Sequence, residues 1–171
     1  IAAGEIIPAT TEKSWDDFIS DRIFKPLGMK NSGTYLEKIS HSKNIAAGHE
    51  KNGDRFVPIV ARLDRNSGSP SGSMVSTAAD MAQWLRFHLN NGKIGNRQLV
   101  SEKALAETRR THAQLSDQYA AFMTASGMAR NVTGYGLGLF ITDSAGYKVL
   151  SHGGNVSGMM SNSAFIPELG L

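Results

Sequence analysis

Cysteine is absent from the 171 residues. That excludes a disulfide framework, a Cys-ligated zinc site and a thiol nucleophile. It does not report the redox compartment, because a cysteine-free protein suits either. An excess of one charge is also missing. The 18 Lys and Arg against 15 Asp and Glu leave a net charge of +3. The longest basic run is Arg109-Arg110, so there is no nucleic-acid footprint. No stretch approaches the roughly 18 apolar residues that span a bilayer. The five histidines show no metal-ligand spacing and no HExxH, so no metal site is expected.

What is present is enough for an ordinary core. A chain of this length buries about 70% of its unfolded surface without a staple. Its first residues, Ile1 to Ile7, read as the inside of an element rather than a start. The sequence is therefore expected to be a piece of a larger domain.

Local signals divide the chain. Ala2 to Ile7 reads as a helix end closed by Pro8. Ser14 with Asp17 is a capping pair, and Trp15, Phe18, Ile19 and Ile23 follow on one helical face until Pro26 and Gly28. His49 to Ile59 suits a hairpin with Asn52-Gly53 as the turn signal, and Pro58 places its second strand at an edge or bulge. Residues 66–73 form a small-residue loop, either a linker or the lining of a cleft. Thr77 caps a helix to about Asn91, with Met81, Trp84, Leu85 and Leu89 as its apolar stripe. His88 beside that stripe reads as a packed, hydrogen-bonded side chain. Another helix runs from Ser101 to about His112, and residues 114–131 are ambiguous, partly helical.

After Thr133 the period changes. Tyr135 to Thr142 reads as a strand with alternating glycines, Tyr147 to Ser151 as a second strand, and Ser161 to Ile166 as a third. His152 to Gly158 reads as a glycine-rich corner between the last two. Hairpin-linked strands make an antiparallel meander, so the fold class is α+β. The organisation expected is a helical region with an irregular insert at 1–134 and antiparallel strands at 135–171. The glycines of Gly134 to Gly138 lack the strand-then-helix setting of a dinucleotide loop.

The chemistry-bearing stretch is Ser151-His152-Gly153-Gly154-Asn155. Glycine permits close approach of backbone to a ligand, backbone N–H groups can meet an oxyanion, and a histidine can handle protons. On these residues alone, a glycine-rich turn with an incidental histidine remains open.

Several segments occur in the order of one known family. They are Ser14-Trp15-Asp16-Asp17-Phe18 through Arg22-Ile23-Phe24-Lys25-Pro26-Leu27-Gly28-Met29; Pro70-Ser71-Gly72-Ser73-Met74-Val75-Ser76-Thr77-Ala78-Ala79-Asp80-Met81-Ala82; Tyr135-Gly136-Leu137-Gly138-Leu139; and His152-Gly153-Gly154 with Ala164-Phe165-Ile166-Pro167. In these the chain resembles the serine β-lactamase and penicillin-binding protein superfamily, in its class C β-lactamase-like branch with D-amino acid peptidases, carboxypeptidases and esterases. The resemblance implies part of the β-lactamase/transpeptidase-like fold: an antiparallel sheet packed by helices beside a helical region.

The resemblance also implies roles. His152 stands where the family places a cation facing the nucleophile. A histidine there is a weaker, more pH-dependent cation than the lysine of the family's Lys-Thr-Gly motif. The Asn155 backbone N–H stands where one oxyanion donor is supplied. Gly153 and Gly154 let substrate lie along the strand, and Ser71 replaces an aromatic wall residue, which puts β-lactam specificity in doubt. The nucleophile motif Ser-x-x-Lys and the Tyr-x-Asn motif have no counterpart in the chain. Ser40-His41-Ser42-Lys43 has the spelling but lies in a polar, irregular region. The 171 residues alone are thus expected to be inactive and to need the remaining segments of the domain. The parent is expected to be a serine hydrolase acting on a small-molecule or peptide substrate, without cofactor or metal. The alternative is a non-catalytic penicillin-binding-like protein that binds peptidoglycan-type ligands. Resemblance implies a periplasmic or extracytoplasmic location.

Overall fold

The computed structural model describes residues 2–36, 42–59, 70–125, 131–156 and 158–171. They fall into two compact units, Ile1–Gln83 with Asn155–Met160, and Trp84–Gly154 with Ser161–Leu171.

The first unit opens on helix α1, Ala2–Thr11, which contains Pro8 instead of ending before it. The proline removes one N–H, but the last turn recovers acceptor partners locally. The Thr10 hydroxyl donates to the Ile6 carbonyl at 2.7 Å and the Thr11 hydroxyl to Ile7 at 2.6 Å. Ser14 caps α2, Trp15–Ile19, as its residue type and Asp17 indicate: its Oγ accepts from the Asp17 N–H at 3.1 Å. Pro26 does not stop the chain either. The helix passes through a π-turn at Ser20–Phe24 and continues as α3, Lys25–Leu27, before Gly28 ends it at φ +68°. A wider turn is one way a helix accommodates a proline, whose missing N–H would otherwise break the ladder. Lys13 and Lys25 both donate to Asp21 at 2.8 Å, and these bonds hold its carboxyl down to about 2.

Strands β1, Gly48–Asn52, and β2, Arg55–Ile59, form the expected hairpin. Its two loop residues are Gly53 and Asp54, one place later than the Asn-Gly signal, because Asn52 pairs with Arg55. Pro58 sits in a two-stranded ribbon, where it interrupts no central ladder. Of the small-residue loop, 66–69 lie outside the described residues. Ser73 is fully buried and donates to the Thr34 carbonyl at 2.6 Å. Gly33 and Val75 exchange both backbone bonds, at 3.0 and 2.9 Å. Buried Asp80 accepts from the Asn31 N–H at 2.7 Å and the Ser32 hydroxyl at 2.8 Å. These bonds fix the start of α4, Ala78–Leu89, where Thr77 also accepts from the Asp80 N–H at 3.2 Å.

Gly158 belongs to the same unit and has φ +70°. Its carbonyl accepts from the His49 N–H at 3.1 Å, and a Cβ at 158 would lie 2.4 Å from the His49 carbonyl oxygen. Gly53 has φ +60° but open space around it. Gly158→Ala is therefore expected to cost about 2 kcal/mol or more, a drop of about 4–8 °C in Tm, and Gly53→Ala about half as much. Differential scanning calorimetry of both variants checks this; equal drops would refute the backbone clash.

The second unit holds a short hairpin of β3, Lys93–Ile94, and β4, Arg97–Gln98, and most of a four-stranded sheet in the order β5-β6-β7-β8. The strands are Val132–Tyr135, Phe140–Ser144, Tyr147–Val156 and Met159–Phe165. The expected single strand over Tyr135 to Thr142 is instead a hairpin. Gly138 turns at φ +88°, and Gly136 lies so close to the Thr108 carbonyl that a Cβ there would stand 2.2 Å from its oxygen. The expected glycine corner at His152 to Gly158 is likewise corrected: β7 continues through His152 to Val156. Two successive glycines take extended backbone as readily as a turn, and the neighbouring strand decides.

Helices cover both faces of this sheet. On one, Leu139, Ile141, Leu150 and Phe165 pack with Leu85 and Leu89 of α4. On the other, Phe140 packs with Met123 of α6, Asp117–Ala125, joined by Leu115, Val132 and Tyr135. Between them α5, Glu102–Thr108, starts at its Ser101 cap and stops earlier than expected. Helix α4 ends where expected, with Asn91 at φ +49° and the Gly92 N–H bonded to the Phe87 carbonyl at 2.9 Å. Its buried face includes Phe87 and His88, 5% and 3% exposed.

Candidate active site

His152, Gly153, Gly154 and Asn155 are consecutive residues of β7. The His152 side chain is exposed on the α6 side of the sheet, and its ring stacks on Phe140 with centroids 5.4 Å apart and planes 29° apart. Tyr135 meets the same ring edge-on at 6.2 Å. Two aromatic rings therefore set the imidazole's orientation. The Ser163 hydroxyl donates to the His152 carbonyl at 3.4 Å, tying the motif to β8. Gly154 faces Ser161 across the β7–β8 pair, where a Cβ on the glycine would lie 3.4 Å from the serine Oγ, an ordinary contact.

Ser71 and Asn155 lie in the first unit, and Ser71 is exposed. There the loop after Pro70 borders the end of β7: a Cβ on Gly72 would stand 3.9 Å from Val156. In the second unit His152 and Gly153 are among the residues that line a cavity of about 430 Å³. Leu115, Tyr119, Met123, Tyr135 and Phe140 complete its lining. Burial, and secondarily the Tyr119 phenol, push the Tyr135 hydroxyl above its usual 10.0, so it remains a neutral donor. The sequence reading missed this lining, because residues 114–131 carry no clean period. Of Ser40-His41-Ser42-Lys43, the first two lie outside the described residues. Among the described residues, no three His, Asp or Glu side chains converge as metal ligands.

The family model for Beta-lactamase matches residues 1–171. The chain belongs to that family. Within the Beta-lactamase family, it is 31% identical over 176 aligned residues to "Penicillin-binding protein 4" of Amycolatopsis lactamdurans, covering 98% of this chain and 42% of that protein. It is 30% identical over 168 residues to "Beta-lactamase-like protein 4" of Dictyostelium discoideum, with 94% and 27% covered. Among solved structures, the octameric penicillin-binding protein homologue from Pyrococcus abyssi superposes with TM-score 0.79 at 23% identity, covering 96% of this chain and 34% of that one. D-amino acid amidase from Ochrobactrum anthropi SV3, complexed with D-phenylalanine, gives 0.67 at 23%, covering 98% and 48%. The structural likenesses establish the β-lactamase/transpeptidase-like fold. The chain spans less than half the length of these relatives. No described helix is long and apolar enough to cross a membrane.

Proposed function

We propose that this chain is part of the catalytic domain of a serine hydrolase that acylates and deacylates a serine supplied by another segment of the same domain. In this reading the serine Oγ attacks the substrate carbonyl and a tetrahedral oxyanion forms. The C–N or C–O bond then breaks, the leaving amine or alcohol takes a proton, and water cleaves the acyl-serine. His152 faces the serine as a donor or cation, and the Asn155 backbone N–H is one of two oxyanion donors. Gly153 and Gly154 bed the substrate along β7, and Ser71 lines the site near its end. The substrate is an ester, a D-amino acid peptide or a β-lactam, and the location is extracytoplasmic.

The observation that carries the reading is the His152-Gly153-Gly154 motif, extended on β7 with its imidazole held by two rings beside a cavity. Intact-mass measurement of the full-length protein after exposure to a fluorophosphonate and to a slow β-lactam tests it. A stoichiometric serine adduct is expected. No adduct with either reagent would instead favour a non-catalytic protein that binds peptidoglycan-type ligands. One relative's name, a penicillin-binding protein, keeps that second reading in view.

A further inference from the structure

The chain contains two Asn-Gly pairs, Asn52-Gly53 and Asn91-Gly92, and the fold treats them oppositely. We propose that Asn52 is a modification site: its side-chain amide passes spontaneously to aspartate and isoaspartate by attack of the Gly53 backbone nitrogen, while the fold protects Asn91 from the same reaction.

Asparagine is a chemically labile residue. Glycine after it leaves the reaction least hindered, because no Cβ stands beside the attacking nitrogen. The Gly53 nitrogen bonds to the Asn52 Cγ, the Cγ–Nδ2 bond breaks, and ammonia leaves with the proton of the Gly53 N–H. Water then opens the cyclic imide. Cleavage at Cγ gives aspartate; cleavage at the Asn52 backbone carbonyl gives isoaspartate, in which the chain runs through Cγ. Water enters and ammonia leaves, so no oxidant and no cofactor is needed.

Asn52 stands ready for this step. It is the last residue of β1, paired with Arg55, and it is exposed, as is Gly53 at the start of the turn. The space where a Gly53 Cβ would stand is empty. Among the described residues, neither the Asn52 side-chain amide nor the Gly53 N–H has a hydrogen-bond partner. The nitrogen has no bond to break before it closes on Cγ.

Asn91-Gly92 is clamped at the end of α4. Gly92 is buried, its N–H donates to the Phe87 carbonyl at 2.9 Å, and its carbonyl accepts from the Leu99 N–H at 2.9 Å. Arg109 donates to the Asn91 Oδ1 at 3.2 Å, and Gln98 donates to the Asn91 backbone carbonyl at 2.7 Å. The Val100 carbonyl occupies the space beside Gly92 where a Cβ would stand. Ring closure here needs the helix end to open first, and such local opening is a minority state.

The product alters the hairpin. A carboxylate at 52 makes the net charge one unit less positive and stands opposite Arg55. Isoaspartate adds a methylene to the backbone of β1 at the pair that closes the turn.

The test ages the full-length protein in mildly alkaline buffer, once folded and once in concentrated urea, and maps both samples by peptide mass spectrometry with isoaspartate detection. In urea the two pairs are expected to react at similar rates. In the folded protein Asn52 is expected to react about tenfold faster than Asn91 or more, since Asn91 must first lose the Gly92 and Arg109 bonds. An acidic charge variant should accumulate in parallel on isoelectric focusing, and Asn52→Gln should suppress it. Equal rates at the two positions in the folded protein, or an Asn52 that reacts in urea but not when folded, would overturn the proposal. So would an acidic variant that accumulates undiminished in Asn52→Gln.

Discussion

His152→Ala in the full-length protein is expected to lower kcat/KM on the order of 10–10³-fold, the effect of one positioned proton donor or oxyanion partner. The ring also stacks on Phe140 and meets Tyr135, so part of any loss will be structural. Aromatic contacts of this kind contribute about 0.5–1.5 kcal/mol beyond burial. The corresponding fall in Tm is then a few degrees in a protein of this size. His152→Lys separates the two contributions. It abolishes the stacking but restores a cation, so activity should return in part. His152→Phe should do the reverse, keeping the fold and losing the rate. Unchanged kcat/KM in His152→Ala for every accepted substrate would remove this residue from the reaction.

Acidification is expected to cost the fold about 3 kcal/mol through His88. Its ring is 3% exposed, 4.5 Å from the Trp84 ring and 5.0 Å from Phe165. Neither ring nitrogen has a hydrogen-bond partner among the described residues, which corrects the hydrogen-bonded histidine expected from the sequence. Burial, and then the Arg109 charge, lower its pKa from 6.5 to about 4. Arg109 is held there by donating to the His88 backbone carbonyl and, at 3.2 Å, to Asn91. The folded state therefore keeps His88 neutral where the unfolded chain binds a proton. This contribution is fully present above about pH 6.5 and is lost as pH falls towards 4, below which it levels off. A displacement of about 2.5 in pKa corresponds to about 3 kcal/mol. Urea denaturation at pH 7.5, 5.5 and 4.5 measures it, and His88→Phe should remove that share of the slope. An identical slope in the variant would show that other groups govern acid sensitivity.

Cap-driven features were legible because they depend on neighbours in sequence. Ser14, Thr77 and Ser101 each accept the N–H bond that their type and spacing suggest. Features fixed by distant partners were not. The alternation of glycine and apolar residues at 135–139 mimics a strand, and only the Thr108 carbonyl against Gly136 shows why the chain turns. His88 reads from its helix as packed and hydrogen-bonded, and only the rings of Trp84, Phe87 and Phe165 around it show that aromatic contacts take the place of those bonds. The motif His152-Gly153-Gly154 was readable, but the cavity beside it was not, since Leu115, Tyr119 and Met123 join its lining only when α6 docks on Phe140.

The meander also carries a kinetic consequence. Strands β6 and β7 are joined by the two-residue turn Ala145-Gly146, from the Ser144–Tyr147 pair upward. Closing so short a loop costs little entropy, and such contacts form early. The Gly33–Val75 bridge and the Asp80–Asn31 bond instead close loops of more than forty residues. In a refolding experiment with pulsed hydrogen exchange, amides of Ile141 and Val149 should gain protection first and those of Gly33 and Val75 last. The part of the chain bearing the imidazole would then take shape before the part that flanks it in sequence at the N-terminal side.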